Sequence, residues 1–270
     1  MIIAIDVGGF ENSIEEPINA AIQYCKNHID INFIFCGQQE KIEPLIKNYS
    51  NFSIENATDV IAMTDEPLTV LRKKESSMYK SIMLVANGKA DGVISAANSG
   101  AYIFGCFSLL KTIEGISKPA FLSFYPTALE KPMLFLDTGA NKKCEGEDLY
   151  SFAFMGDIYA KKMFNIKKPT IAVINIGTEK NKGFDYHQKA DELISADASL
   201  NYQGFIEPRY ILTGETDICV CDGYTGNIVT KTAEGVMKTL MSSIKTEFKR
   251  PLNLLGAILS IRVFKSLKKK

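Results

Sequence analysis

The chain has 270 residues, with 31 Lys+Arg against 31 Asp+Glu, 46% hydrophobic residues, no Trp and two His. That length fits one large domain or two small ones, and the apolar content supplies a sizeable core, which excludes general disorder. A net charge of zero argues against wholesale nucleic-acid binding, so no nucleic acid is expected as a partner.

Short β-branched runs alternate with longer helical patterns. Ile2–Ile5 reads as a buried strand, 15–27 as a helix, Ile31–Cys36 as a strand, 38–48 as a helix and 52–56 as a weaker strand. Pro67 opens a helical region to about Asn87; Gly92–Ser95 returns as a strand and a helix follows over 99–112. Ala120–Tyr125 and Met133–Asp137, with Pro126 and Pro132 between them, read as neighbouring or antiparallel strands. A helix over 147–165 leads to strands at 170–174, 202–205 and 217–221, with helices between them and a last helix over 227–248. Continuous apolar strands separated by helices indicate an α/β architecture with a parallel sheet covered on both faces.

Charge divides the chain unevenly. Residues 245–270 hold eight Lys/Arg and one acid, Glu247, leaving 23 basic and 30 acidic residues before them. Leu252, Leu254, Leu255, Ile258, Leu259, Ile261, Val263, Phe264 and Leu267 in this tail suit a basic, apolar helix lying at an anionic membrane interface or in a dimer contact. The expected organisation is an α/β domain over 1–248 and a basic C-terminal helix over 249–270. No charged start with an apolar core opens the chain, so no leader is expected, and the longest apolar stretch is too short to span a bilayer. A cytoplasmic location follows as the expectation, with peripheral contact on the inner face of the cell membrane.

The six cysteines form no C-x-x-C pair, and Cys219 and Cys221 alternate along an apolar run, so buried reduced thiols facing one side of a strand are expected. With two His, a zinc site of the usual kind is not expected.

Five predicted strand ends share a chemistry: Asp6-Val-Gly-Gly9, Ser95-Ala-Ala-Asn-Ser-Gly100, Asp137-Thr-Gly-Ala-Asn141, Asn175 to Gly183, and Asp222-Gly-Tyr-Thr-Gly-Asn227. Gly lets backbone N–H groups approach a ligand, and a helix N-terminus offers unpaired donors with partial positive charge. The loops are expected to converge on one sheet edge, where α/β proteins bind ligands, around an anion such as phosphate. No P-loop, dinucleotide fingerprint or nucleophile elbow is present, which points to catalysis by positioning and electrostatics.

At these residues the sequence resembles a known family. Arg72-Lys-Lys-Glu-Ser-Ser-Met78, Ser95 to Gly100, Leu136-Asp-Thr-Gly-Ala-Asn141, Phe154-Met-Gly-Asp157 with Tyr159-Ala-Lys-Lys162, Asn175-Ile-Gly177, Val220 to Asn227 and Thr230 to Gly235 occur in order, resembling the phosphate acyltransferases of bacterial phospholipid synthesis. The resemblance covers about residues 1–250. It implies transfer of a fatty acyl group from acyl carrier protein to inorganic phosphate, without metal or nucleotide cofactor. It also implies a homodimer with a Rossmann-like three-layer α/β/α sandwich akin to isopropylmalate dehydrogenases and phosphotransacetylases. Peripheral contact with an anionic membrane and supply of a glycerol-phosphate acyltransferase come with it.

On this reading Lys182 and Asn227 are the catalytic candidates, as cationic partner and side-chain donor. Gly8, Gly9, Ser95, Asn98, Ser99, Gly100, Asp137, Gly139, Asn141, Asp222, Gly223 and Gly226 are candidates for holding phosphate or the acyl group. The backbone N–H groups of 98–100 and 139–141 would cradle the anion, Asn98, Asn141 and Asn227 would offer side-chain donors, and Asp6, Asp137 and Asp222 would cap helices and orient donors. Lys73 and Lys74 would meet an acidic carrier protein. The chain departs from the family at Phe10, Ala97 and Phe184, where Asp, Gly and Asn are usual, and it ends at Lys270 where members continue with Gly-Gly-Ala and His-Gly-Ser segments. Two other readings are a short-chain phosphotransacetylase using coenzyme A and a truncated, inactive homologue acting as a membrane- or carrier-binding scaffold.

Overall fold

Local alternation of apolar side chains builds two separate sheets, the first wholly parallel and the second parallel but for one edge strand. The computed structural model describes residues 1–10 and 13–250, with Asn253, Gly256, Ser260 and Arg262 beyond them. The helix expected over 249–270 falls almost entirely outside the described residues. The chain divides into two compact units, Met1–Gly115 and Ile116–Lys270.

The first unit runs β1 (Ile2–Asp6), α1 (Glu15–Cys25), β2 (Asn32–Gly37), α2 (Gln39–Ile46), β3 (Phe52–Asn56), α3 (Thr69–Arg72), α4 (Ser77–Ala86), β4 (Gly92–Ser95) and α5 (Ser99–Leu110). Its sheet has the order β3-β2-β1-β4, with every pairing parallel. Successive side chains on a strand face opposite ways. Ile5, Phe33, Phe35 and Phe52 therefore pack with Ile18 and Ala21 of α1 and Ile42 of α2, while Ala4 and Cys36 pack with Leu84 of α4. The helical region predicted from Pro67 is broken at 73–76. There Ser76 caps the restarted helix by accepting the Tyr79 N–H at 3.3 Å, an option a Ser hydroxyl offers and an apolar residue lacks.

The second unit runs β5 (Ser123–Pro126), β6 (Pro132–Leu136), α6 (Gly146–Met163), β7 (Thr170–Ile174), α7 (Asp185–Ala196), β8 (Asn201–Ile206), β9 (Ile218–Val220) and α8 (Gly223–Phe248). The sheet order is β5-β6-β9-β7-β8, with β5 antiparallel to β6, as the two prolines between them suggest, and the remaining pairs parallel. Leu134, Leu136, Ile171, Val173, Ile218 and Val220 pack with Leu149 and Phe152 of α6 and Ala190 and Ile194 of α7. Met133, Phe135, Cys219 and Cys221 fill the opposite face, so the two cysteines share one side as alternation requires. Burial pushes the Cys219 thiol up to about 12 and raises Cys221, consistent with unreactive reduced thiols.

Two expectations are corrected. The segment between β8 and β9 holds a single 3-10 turn, Pro208–Tyr210, and no α-helix, because Pro208 and Gly214 (φ +89°) confine it to turns. The five strand-end loops do not share one sheet edge. Asp6–Gly9 and Ser95–Gly100 follow β1 and β4 of the first sheet, whereas the other three follow β6, β7 and β9 of the second. The division arises because the strand at 123–126 pairs with β6 and starts a new sheet, a long-range choice that strand periodicity does not encode. Among the described residues no helix is long and apolar enough to cross a membrane.

Candidate active site

In the second unit β9 is the last strand in sequence yet lies between β6 and β7. These three strands are mutually parallel, so the loops after them emerge side by side at the carboxyl edge, where α/β sheets bind ligands. Asp137, Asn175 and Asp222 begin those loops, and each carries a buried polar side chain.

Asp137 is fully buried and collects its own loop. Oδ1 accepts the N–H groups of Phe121, Gly139 and Ala140 at 2.9–3.0 Å, and Oδ2 accepts the Asn141 N–H and Nδ2 at 2.8 Å. This corrects the expectation that the amides of 139–141 cradle a phosphate. An internal carboxylate already occupies that nest, and Asn141 Nδ2 also donates to the Pro119 carbonyl at 2.6 Å.

Asp222 caps α8: Oδ1 accepts the Thr225 N–H at 2.9 Å, and Oδ2 accepts the Thr225 hydroxyl at 2.6 Å and the Tyr186 phenol at 3.0 Å. Gly223 and Gly226 let α8 start directly against the Asp137 loop. The Gly223 N–H donates to the Asn141 carbonyl at 2.8 Å, and Gly226 lies against the Asp137 carbonyl. Asn227 is exposed on the first turn of α8, next to Gly139 (φ +146°).

Asn175 braces the long loop after β7. Its Oδ1 accepts the Ile176 N–H at 2.8 Å, and its Nδ2 donates to the Lys182 carbonyl at 3.0 Å. Lys182 is exposed, and neither its ammonium nor the Asn227 amide has an ion-pair or hydrogen-bond partner among the described residues. The structure thus places Lys182 on the loop after β7 and Asn227 near the start of α8, which follows the adjacent strand β9, both open to solvent.

In the first unit the aspartate after β1 is bonded only in part. Asp6 is buried; Ser95 donates to its Oδ2 at 2.8 Å, while its Oδ1 and the Ser77 hydroxyl have no hydrogen-bond partner among the described residues. Burial raises its pKa despite the Ser95 bond. The Asn98 side chain is not a free donor, which corrects that expectation. Its Oδ1 caps α5 by accepting the Ala101 N–H at 3.0 Å, and its Nδ2 donates to the Ala62, Met63 and Asp65 carbonyls at 2.8–3.2 Å. Ser99 and Gly100 are exposed on the first turn of α5. Gly8 lies against Ser77, and Gly9 lies against Ala97, so the Ala at 97 is accommodated by the missing side chain at 9. Phe10 lines an apolar groove of about 590 Å³ with Ile3, Ile5, Phe33 and Ile94.

Lys73, expected as a carrier contact, is half-buried. Its ammonium pairs at the surface with Asp65 at 3.1 Å and Asp59 at 3.7 Å and donates to the Val60 carbonyl at 3.0 Å. Lys74 is exposed with no ion pair among the described residues.

Two residues of this neighbourhood escape sequence reasoning: Tyr186 and His187. His187 Nδ1 accepts the Phe184 N–H at 3.1 Å, and its ring stacks on Tyr186 with centroids 4.1 Å apart. Burial lowers the His187 pKa, which keeps the ring neutral and Nδ1 an acceptor near pH 7. Burial and then the Asp222 charge raise the Tyr186 phenol, keeping it a donor. The available signal was positional, since His187 stands three residues after Phe184, at capping-box spacing. Among the described residues no cluster of His, Cys, Asp and Glu is arranged to hold a metal ion.

Largely parallel sheets flanked by helices, with loops after β6, β7 and β9 at one carboxyl edge, define the class: an α/β protein of phosphotransacetylase-like fold. A phosphotransacetylase from Streptococcus pyogenes superimposes with a TM-score of 0.63 at 19% identity, covering 88% of this chain and 82% of its own. One from Staphylococcus aureus gives 0.62 at 18%, with the same coverage. At that identity the likeness speaks for the fold alone.

Sequence relatives are nearer. A phosphate acyltransferase of Malacoplasma penetrans is 44% identical over 271 residues, covering 100% of this chain and 82% of its own length. That of Dictyoglomus thermophilum is 38% identical over 277 residues with the same coverage. The family model described as fatty acid synthesis protein matches residues 1–270, and the chain belongs to that family, among whose members are the phosphate acyltransferases.

Proposed function

We propose that the chain transfers a fatty acyl group from the thioester of acyl carrier protein to inorganic phosphate, releasing acyl phosphate and the carrier thiol. A phosphate oxygen attacks the thioester carbonyl, the C–S bond breaks, and the thiolate leaves with no strong demand for a general acid. Lys182 offsets the charge of phosphate and Asn227 donates to the developing oxyanion, a task for preorganised donors. The observation that supports this reading is that Lys182, on the loop after β7, and Asn227, near the start of the helix after the adjacent parallel strand β9, are both exposed and unengaged among the described residues. Gly223 and Gly226 allow the close approach of α8 on which Asn227 rides. In the first unit, the exposed start of α5 at Ser99 and Gly100 and the loop at Gly8 and Gly9 remain candidates for substrate contact.

Lys182→Ala and Asn227→Ala should each lower turnover about 100-fold while leaving the melting temperature unchanged, since both side chains are exposed. Phosphate-dependent loss of acyl thioester, with hydroxylamine trapping of acyl phosphate, measures this. Wild-type rates in both variants would remove them from the site. Running carrier-protein and coenzyme A thioesters side by side separates this reading from a short-chain phosphotransacetylase, and any turnover excludes an inactive scaffold.

Lys74 supplies positive charge for an acidic carrier protein. Homodimerisation through α8 is supported by the exposed apolar side chains Ile228, Val236, Met237 and Leu240 on that 26-residue helix. The basic, apolar sequence of 249–270 supports contact with the anionic inner face of the membrane, where a glycerol-phosphate acyltransferase would receive the product. Leu240→Glu should convert dimer to monomer by light scattering, and cosedimentation with anionic but not neutral vesicles checks the membrane contact.

A further inference from the structure

The loop bearing Lys182 and the helix bearing Asn227 are joined by one continuous set of contacts that involves neither catalytic side chain. On the Lys182 side, the loop is tied by Asn175 Nδ2 to the Lys182 carbonyl and, two residues on, by the Phe184 N–H to His187 Nδ1 at 3.1 Å. The rings of Phe184, Tyr186 and His187 form a stack, with the Tyr186–His187 centroids at 4.1 Å and those of Phe184 5.8 and 5.9 Å from the other two. On the Asn227 side, the Tyr186 phenol donates to Asp222 Oδ2 at 3.0 Å. Asp222 caps α8 through Thr225, and Asn227 lies two residues further along that turn.

We propose that Tyr186 and His187 are positioning residues for the acyl-transfer site: His187 closes the Lys182 loop, and Tyr186, stacked on it, sets the Asp222 cap that orients Asn227. The inference rests on the roles proposed above for Lys182 and Asn227. His187 is buried and its Nδ1 is engaged by the Phe184 N–H, while the Tyr186 hydroxyl is engaged by Asp222, so both act through other groups. A shift of about 1 Å in a catalytic group costs on the order of 100-fold in rate, so anchoring both loops to one stack has kinetic consequences.

The test is steady-state acyl transfer to phosphate by the full chain, comparing Tyr186→Phe, His187→Phe and His187→Gln with Lys182→Ala and Asn227→Ala. Tyr186→Phe keeps the ring and loses only the hydroxyl; its kcat should fall about tenfold, with KM for phosphate unchanged. His187→Phe keeps an aromatic ring and loses the acceptor, and its kcat should fall by a similar factor. His187→Gln restores an acceptor at the capping position and should recover kcat to within about threefold of wild type. That rescue keeps the test decisive if His187→Phe folds poorly. Wild-type kcat in Tyr186→Phe and His187→Phe, alongside slow Lys182→Ala and Asn227→Ala, would overturn the positioning role and leave the catalytic assignment standing. A rise in KM alone, or equal loss in His187→Gln and His187→Phe, would also overturn it. Wild-type rates in Lys182→Ala and Asn227→Ala would overturn the underlying assignment and the inference with it.

Discussion

Gly226→Ala is expected to abolish acyl transfer and to lower the melting temperature by about 6–12 °C, the consequence of roughly 3 kcal/mol of overpacking in a unit of this size. A Cβ at this position collides with the Asp137 backbone carbonyl and comes within 3.1 Å of Cys221 Sγ. Neither neighbour gives way. The Asp137 backbone is pinned, its N–H bonded to the Cys221 carbonyl at 3.0 Å and its side chain bonded to four backbone N–H groups. Cys221 is fully buried. The start of α8 must therefore move outward, carrying Asn227 away from the carboxyl edge of the sheet. Gly235→Ala provides the control on the same helix. No atom lies within 4 Å of its Cβ position, and the substitution should stabilise α8 by about 0.5–1 kcal/mol through helix propensity. A Gly226→Ala protein with wild-type melting and turnover would show that the close approach of α8 to β6 has no functional weight.

The second large effect concerns Asp137. Asp137→Ala should cost about 3–5 kcal/mol in chemical denaturation, because the N–H groups of Phe121, Gly139, Ala140 and Asn141 and the Asn141 side chain lose their common acceptor. Asp137→Asn discriminates the cause. An amide oxygen in the Oδ1 place still accepts from Phe121, Gly139 and Ala140, but the NH₂ in the Oδ2 place faces the two Asn141 donors. Its cost should fall at about half that of Asp137→Ala. Hydrogen exchange at residues 139–141 should accelerate in both variants. An Asp137→Ala protein within about 1 kcal/mol of wild type would mean that water replaces the carboxylate without loss, contradicting its place as organiser of the loop.

Both effects depend on a feature of the strand ends that glycine and aspartate content alone does not reveal. The sequence Asp137-Thr-Gly-Ala-Asn141 carries the small residues and amides of an anion nest, and those amides do bind an anion, their own aspartate. Asp222 acts likewise toward the Thr225 N–H. The expected helix cap holds at Asp222, while Asp137 organises its loop without capping a helix and the helix after Asp6 is not capped by it; the expected use of the 139–141 amides and the Asn98 and Asn141 side chains does not hold.

The sequence alone determined the strands and their faces, the burial of Cys219 and Cys221 on one face, the adjacency of the strands around Pro126 and Pro132, the Asp222 cap and, through ordered motifs, the family. Each of these is written in local periodicity or in neighbours a few residues apart, where side-chain direction follows from backbone geometry. Only the tertiary structure decided that β9 inserts between β6 and β7, that the strand-end loops divide between two sheets, and that Tyr186 reaches Asp222 while His187 closes the Lys182 loop. Strand pairing and side-chain bonding across 36 residues are settled by which packed arrangement satisfies buried polar groups, and no local pattern carries that information.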